Sequence, residues 1–373
     1  MIFGAFPYFD EESIELIAKD IRVMLKSGKL TDGPHALEFE KKFAEYNKIK
    51  HAIAVSSGSS ALDVALTYYN IKDSEVIVPT NTFISDPNAV LLAGGKPVFA
   101  DMNPNTLGID IDDVQRKVTE KTKGVIVVHI AGLVCPQIHE IKLFCREKGL
   151  FLLEDCAHAH GASMDGQKAG TFGDVGCFSF YPTKVMTACE GGMIITNNDR
   201  LAEQARYLRT CGQNSDRMMV TLGHNWRMSE LSAIVGKSQL DHLEEFINRR
   251  NSIAIQYKTM LSDVDGIELF SAAPNFRHSY YKYPIRLAEG IDRFKVAAVM
   301  KDKYGIETGH VYYPPCHMHP YYKQHQGVKD GDLTKAEQIL KQILCLPMHV
   351  ALTDENVKYI GESLVSSLNG IPS

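Results

Sequence analysis

One lysine, Lys184, stands in the stretch Phe178-Ser-Phe-Tyr-Pro-Thr-Lys-Val-Met-Thr-Ala-Cys-Glu-Gly-Gly192 with no second charge before Glu190. The strand-like run from Val175 to Phe180 delivers it into apolar and hydroxyl-bearing surroundings, where an amine sheds water and becomes a nucleophile. Taken alone, Lys184 reads better as a surface lysine extending from a loop. The stretch Glu154-Asp-Cys-Ala-His-Ala-His-Gly161, upstream, changes that balance. It places a carboxylate, Asp155, at the end of another strand. An acid ending one strand and a lysine just past a later one are what a pyridoxal phosphate (PLP) site requires: the carboxylate pairs with the pyridinium nitrogen and the lysine forms the Schiff base.

The elements that must position these groups follow a regular alternation. Short apolar runs at 52–56, 75–78, 97–101, 124–129 and 150–155 read as strands buried on both faces, as in a parallel sheet. Helical patterns fill the gaps, with Ile138, Ile141 and Cys145 on one segment and Leu201, Ala205 and Leu208 on another capped by Asp199. Two further helices precede the alternation, one through Ile14, Ile17, Ile21, Met24 and Leu25, the other through Leu37, Phe39, Phe43 and Tyr46. The break between them is Thr31-Asp-Gly-Pro34. Strand–helix alternation over this length predicts an α/β domain with helices on both faces of a largely parallel sheet. From Ser229 a single long helix is expected to run through Leu231, Leu243, Phe246 and Tyr257 as a bridge. A smaller α+β domain follows, with a strand at 280–286, a helix over Arg293–Tyr304, a loop rich in Pro, His and Tyr at 310–322 and a closing helix at 353–368. The expected division is 1–240 for a large cofactor-binding domain and 241–373 for a small C-terminal one.

The 373 residues are too many for one small core, and 45% hydrophobic with 23% charged residues is the composition of an ordinary globular protein. A net charge of −5 offers no basic stripe to nucleic acid. No apolar run approaches a membrane span, and the acidic start Asp10-Glu-Glu is unlike a signal peptide. The eight cysteines form no CxxC pair and read as reduced core residues, so the expected compartment is the cytoplasm.

Other stretches offer binding chemistry. Ser56-Ser-Gly-Ser-Ser60 follows the first core strand and opens a helix, an anion site for a cofactor phosphate or simply a turn with capping serines. It is no Walker loop, and the absence of GxGxxG argues against a dinucleotide-binding dehydrogenase. Phe83 suits a ring stack or the core equally well. His158 and His160 make an unconvincing metal pair, because His310, His317 and His319 lie far off, and no metal is expected. His158 fits a polar contact to a ring hydroxyl better. Asn225 and Arg227, beside the sole tryptophan, are candidate ligand contacts.

Together, "SSGSSAL", "VPTNTFISDPNAVLLAGGKPVFAD", "EDCAHAHG", "FSFYPTKVMTACEGG", "GHNWRMSELSAIVGKSQL" and "YYPPCHMHPYY" resemble the signatures of DegT/StrS-type sugar aminotransferases, in the same order from about Lys29 to Leu352. The resemblance implies a fold-type I PLP enzyme, working as a homodimer with shared active sites. It implies Lys184 as the Schiff-base lysine, Asp155 on the pyridine nitrogen, His158 beside the ring oxygen and Phe83 stacked on the ring. Ser59, Ser60 and Ser179 would bind the phosphate, and Asn225 would reach over from the partner subunit. Arg227, His310, Tyr312 and His317 match substrate-facing positions. Ser59 stands where Thr is commoner, Cys156 where Ala is usual and Cys189 where many members have Gly. Some relatives replace the lysine with histidine and are sugar dehydratases; the lysine here implies transfer from an amino acid, glutamate being the family's usual donor, to a keto sugar. The "EGG" and "AHA" forms look more like members that aminate C4 of a nucleotide-linked 4-keto-6-deoxy sugar. A 3-keto sugar, a keto-cyclitol or a dehydratase reaction are the alternatives.

Overall fold

The computed structural model describes residues 1–369. A seven-stranded sheet forms its centre. Five of its strands are β1 (His51–Val55), β2 (Glu75–Pro79), β3 (Lys96–Ala100), β4 (Thr122–Val128) and β5 (Phe151–Asp155). The others are Val175–Ser179 and Gly192–Thr196, and β5 lies fourth of seven in the sheet. Val175–Ser179, β5, β4, β2 and β3 pair in parallel, while Gly192–Thr196 is antiparallel to both its neighbours, β1 and Val175–Ser179. Strands such as Val125–Val128 and Phe151–Asp155 are buried throughout because helices cover both faces of the sheet. Two apolar clusters result, one on each face. The sequence pattern missed Gly192–Thr196, whose Met-Ile-Ile run is too short to separate from the loop before it.

Helices α1 (Glu11–Ser27), α2 (Pro34–Asn47), α3 (Gly58–Tyr69) and α4 (Ser85–Leu92) precede or link the first strands. The cap of α2 comes from far along the chain. Gly33 cannot cap by a side chain, so the buried carboxylate of Glu230 accepts from the N–H groups of Gly33 (3.2 Å), His35 (2.9 Å) and Ala36 (2.9 Å). This contact fixes the first turn of α2 against the helix Glu230–Asp241.

The expected bridging helix is in fact two, Glu230–Asp241 and Leu243–Leu261. The break falls at His242 (φ −101°, ψ 0°), whose ring lies 3.2 Å from the Ser13 hydroxyl on α1 and 3.3 Å from Glu245. Apolar spacing alone carries through such a one-residue kink. Beyond it, Ile267–Leu269, Tyr283–Leu287 and Ile343–Leu346 form an antiparallel sheet packed with Leu243–Leu261, Arg293–Tyr304 and Asp354–Asn369 around a third core cluster. The strand expected at 280–286 starts later, because Tyr280 sits at φ +45° and turns Tyr281 and Lys282 out of the sheet. The first residues of the chain join this C-terminal unit, with Ile2 N–H donating to Gly305 O at 2.8 Å and Met348 N–H to Gly4 O at 3.1 Å.

Replacing Glu230 with Ala strands three N–H groups that share one acceptor. The expected loss is about 2–4 kcal/mol, taking roughly 1–3 kcal/mol for each buried group left without a partner and allowing for partial relaxation. A shift in the urea midpoint at unchanged m-value is the measurement; a midpoint equal to wild type would contradict this reading of the cap.

Candidate active site

The carboxyl ends of β1, β2, β5 and Val175–Ser179 converge on a cavity of about 460 Å³. Its walls include Ser59, Phe83, Ser85, Asp155, Ala157, Ser179, Lys184, Tyr281 and Tyr312. In an open α/β sheet this is where loops leave the strands and ligands gather.

β5 sends two neighbouring acids to opposite sides. The wholly buried Glu154 accepts from Gly170 N–H at 2.8 Å and Gly173 N–H at 2.6 Å, and meets His129 Nε2 at 2.8 Å. Glu154, His129 and Cys156 are close enough to hold a metal, but these bonds already occupy the Glu154 carboxylate. Asp155 turns the other way and lines the cavity. One of its oxygens accepts from Ala157 N–H at 2.8 Å. Burial pushes the Asp155 carboxyl up, while that hydrogen bond and the Lys184 ammonium pull it back toward the ionised form. Such a carboxylate favours a cationic partner in the cavity.

Lys184 follows the strand Val175–Ser179 by a turn closed by its own N–H to Tyr181 O at 3.0 Å and anchored by buried Val185, Met186 and Ala188. Its Nζ sits 4.7 Å from the centre of the Tyr281 ring. Burial alone would raise the Tyr281 phenol; Lys184, Lys282 and the Thr183 hydroxyl outweigh it and hold the phenol below the ordinary tyrosine value. Cys189 closes the turn at φ +65°, in the left-handed region, and its N–H is tied to the Thr187 hydroxyl at 3.0 Å. That φ explains why glycine suits the position.

The first turn of α3 forms the opposite wall. Ser57 and Ser60 cap one another: Ser60 N–H donates to Ser57 Oγ at 3.0 Å and Ser57 N–H to Ser60 Oγ at 2.8 Å. Ser60 is therefore consumed by the helix and lies off the cavity wall, contrary to its expected part in phosphate binding. Gly58 and Ser59 keep the N–H groups that a first helical turn cannot satisfy. The Ser59 hydroxyl lies 2.8 Å from Ser85 Oγ, and Ser179 closes in so tightly that a Cβ on Gly58 would come within 2.6 Å of the Ser179 Cβ. Gly192 is as constrained, since a Cβ there would stand 2.1 Å from Ser57 O. N–H groups, hydroxyls and a glycine cradle suit a phosphate.

Phe83 is 52% exposed on the cavity wall, which removes it from the core. Tyr312 lines the cavity, and its ring centre lies 6.1 Å from that of Phe83. His158 sits behind Tyr312 and off the cavity wall. Its Nδ1 accepts from Ala131 N–H at 3.3 Å, so Nε2 carries the proton and donates to the Tyr312 oxygen at 2.8 Å. Burial first, then Lys184 and Lys282, hold this imidazole well below the ordinary histidine value, and it stays neutral.

Two expected substrate contacts belong elsewhere. His317 is wholly buried, with Nδ1 2.7 Å from the Thr80 hydroxyl and Nε2 3.1 Å from Glu337, so neither nitrogen is left for a substrate. His310 lies off the cavity wall, its ring bonded to Val311 O and its carbonyl to the Lys282 ammonium. Asn225 is exposed and Arg227 pairs with Asp32 at 3.3 Å; neither lines this chain's own cavity. Sequence reasoning passed over Ala157, Ser85, Tyr281 and Lys282. The spacing of two from Asp155 marks Ala157, whereas Tyr281 and Lys282 arrive only through the kink at Tyr280.

A seven-stranded, mostly parallel sheet flanked by helices, with a lysine and a carboxylate at its strand ends, defines the fold-type I class of aminotransferases. The chain belongs to the DegT/DnrJ/EryC1/StrS aminotransferase family, whose model matches residues 11–365. It is 34% identical to the GDP-perosamine synthase of Escherichia coli O157:H7, covering 89% of this chain and 90% of that one. To the dTDP-4-dehydro-2,3,6-trideoxy-D-glucose 4-aminotransferase of Saccharopolyspora spinosa it is 33% identical, over 95% and 94% of the two chains. The crystal structure of S. venezuelae DesV, in complex with a ketimine intermediate, superposes with a TM-score of 0.92 at 30% identity, over 99% of this chain and 100% of DesV. The protein is a sugar aminotransferase. Among the described residues no helix is long and apolar enough to cross a membrane.

Proposed function

We propose that this enzyme holds pyridoxal 5′-phosphate in the cavity of Lys184 and Asp155, takes an amino group from an amino acid, L-glutamate in our reading, and delivers it to a nucleotide-linked 4-keto-6-deoxy sugar. The observation that carries the reading is the buried Asp155 carboxylate facing the same cavity as Lys184. A carboxylate that Ala157 N–H leaves able to accept again fits a pyridinium N–H, and the α3 turn fits the phosphate. When bound, the cofactor supplies a conjugated ring that takes up the electron pair released at the substrate carbon.

The chain's own groups do the rest. Gly58 and Ser59 N–H, with the Ser59 and Ser179 hydroxyls, would hold the phosphate. Phe83 and Ala157, on the cavity wall, would pack against the ring and exclude water from it. Asp155 would accept from the ring N–H and hold that proton in place. The Lys184 amine would hold the cofactor through a Schiff base, and its free Nζ would be the group that takes up and gives back the proton moved during the transfer. His158 acts through Tyr312, whose oxygen it holds by the Nε2 hydrogen bond.

The relatives act on GDP- and dTDP-linked sugars, and the S. spinosa enzyme is a 4-aminotransferase, which supports the sugar class and the carbon. The shared-site homodimer is supported by the loop before Asn225. Met218, Met219, Val220 and Leu222 are all more than half exposed, an apolar tip with no cover in one chain. In the dimer this tip is buried against the partner, and Asn225 and Arg227 face the partner's cavity. Eight free cysteines support a reducing, cytoplasmic setting.

A screen of amino acids against keto sugars, read by mass spectrometry, tests the substrate assignment. Amination of a nucleotide-linked 4-keto-6-deoxy sugar with glutamate is expected. Exclusive use of a 3-keto sugar or a keto-cyclitol, or ammonia release with a deoxy sugar as product, would overturn it. Subunit mixing tests the shared site. Lys184→Ala and Asn225→Asp are each expected to be nearly inactive, the second because a like charge meets the phosphate. Their heterodimer has one doubly damaged site and one intact site, so each heterodimer should recover up to about half of wild-type activity, and a fully exchanged 1:1 mixture about a quarter. Proven exchange without recovery would place Asn225 outside the partner's site.

A further inference from the structure

Asp86, in the first turn of α4, is wholly buried behind the cavity, and its carboxyl lies within hydrogen-bonding reach of Asp155. Its Oδ2 accepts from the Thr82 hydroxyl. Its Oδ1 has no donor among the described residues. Two carboxylates in contact and out of water cannot both be ionised at tolerable cost, and an ionised Asp86 would also leave a charged oxygen unpaired. Cys177, Cys316, Tyr312 and Tyr322, which couple electrostatically to Asp86, bring no positive charge, and the cation that does act on it, Lys184, acts on Asp155 as well.

We propose that Asp86 carries a proton in the folded enzyme and donates it to Asp155, making Asp86 the positioning residue that keeps Asp155 ionised and aimed into the cavity. One proton on Asp86 resolves both difficulties, since the unpartnered oxygen becomes a donor and Asp155 its acceptor. Burial pushes the Asp86 carboxyl well above the usual carboxylate range, and the Asp155 charge pushes it further, outweighing the Thr82 hydroxyl and Lys184. The N-terminal dipole of α4 favours an ionised Asp86, but it acts against full burial and a neighbouring anion together. For Asp155 the consequence has the opposite sign. With Ala157 N–H on one oxygen and a second donor from Asp86, its basicity falls, so it remains a carboxylate when a ring N–H donates to it. The shared proton then stays on the ring nitrogen.

This inference rests on the cofactor reading above for its effect on turnover, but the proton itself is testable without cofactor. Infrared spectra of the apo and PLP-bound enzyme, with isotope-labelled aspartate, should show the C=O stretch of a buried carboxylic acid in wild type and lose it in Asp86→Asn. Asn keeps a donor toward Asp155, so Asp86→Asn should retain kcat within about 3-fold, since an uncharged donor gives up only part of a charge-assisted bond. Asp86→Val keeps the volume without the donor and should lose about 10- to 100-fold in kcat at full cofactor occupancy, the worth of one hydrogen bond to a charged group. If Asp86→Val does not fold, the spectra and the Asn variant decide. No acid band in wild type, a band unchanged in Asp86→Asn, or an Asp86→Val enzyme with wild-type kcat would each overturn the proposal. Failure of the cofactor reading shows separately, as a wild-type protein that takes up no PLP while the acid band stands.

Discussion

A carboxylate at the end of the middle strand of a buried sheet needs a partner, and Asp155 is that carboxylate. β5 has parallel neighbours on both sides and helices over both faces, so its last residues cannot shift to let water in. Glu154 spends its charge on two backbone N–H groups and His129 on one face, which locks the strand end in register. With that face pinned, strand alternation forces Asp155 into the cavity on the other. The lysine turn, the Tyr281 wall and the capped start of α3 are arranged around this one fixed charge.

The phosphate end of the cavity depends on close approach. Ser179 packs against Gly58, and Gly192 passes the Ser57 carbonyl at a distance no side chain would allow. The antiparallel strand that Gly192 opens lies between β1 and Val175–Ser179, so it draws the serine turn and the lysine turn toward each other. The Glu-Gly-Gly at 190–192 is thus a packing requirement as much as a sequence signature. The mutual cap of Ser57 and Ser60 sets the direction of the first turn, leaving the N–H groups of Gly58 and Ser59 toward the cavity.

Much of this was legible in the sequence because the chemistry lies on strand ends. The apolar runs located β1 to β5, and the family's motifs marked Lys184, Asp155, Phe83, Ser59, Ser179 and Tyr312, all of which the structure brings to one cavity. What escaped had local causes. Ser60 and Ser59 are neighbours of the same type, and only the helix geometry decides which hydroxyl caps and which faces out. His317 reads as a substrate contact until Thr80 and Glu337, remote in sequence, are seen to occupy both its nitrogens. The kinks at His242 and Tyr280 are single-residue departures that periodicity cannot register, and the second of them brings Tyr281 and Lys282 to the cavity. Asp86 looks like an ordinary acid at a helix start; its oddity lies in what surrounds it.

Covalent capture on the lysine probes whether Lys184 and Asp155 share one cofactor in one cavity. Borohydride reduction of the PLP-loaded enzyme should fix the cofactor on Lys184, with a tryptic map showing the added mass on the peptide that contains it and on no other lysine, Lys282 included. A label on Lys282 or elsewhere, or a protein that takes up no PLP to be fixed, would show that Lys184 and Asp155 do not form the cofactor site.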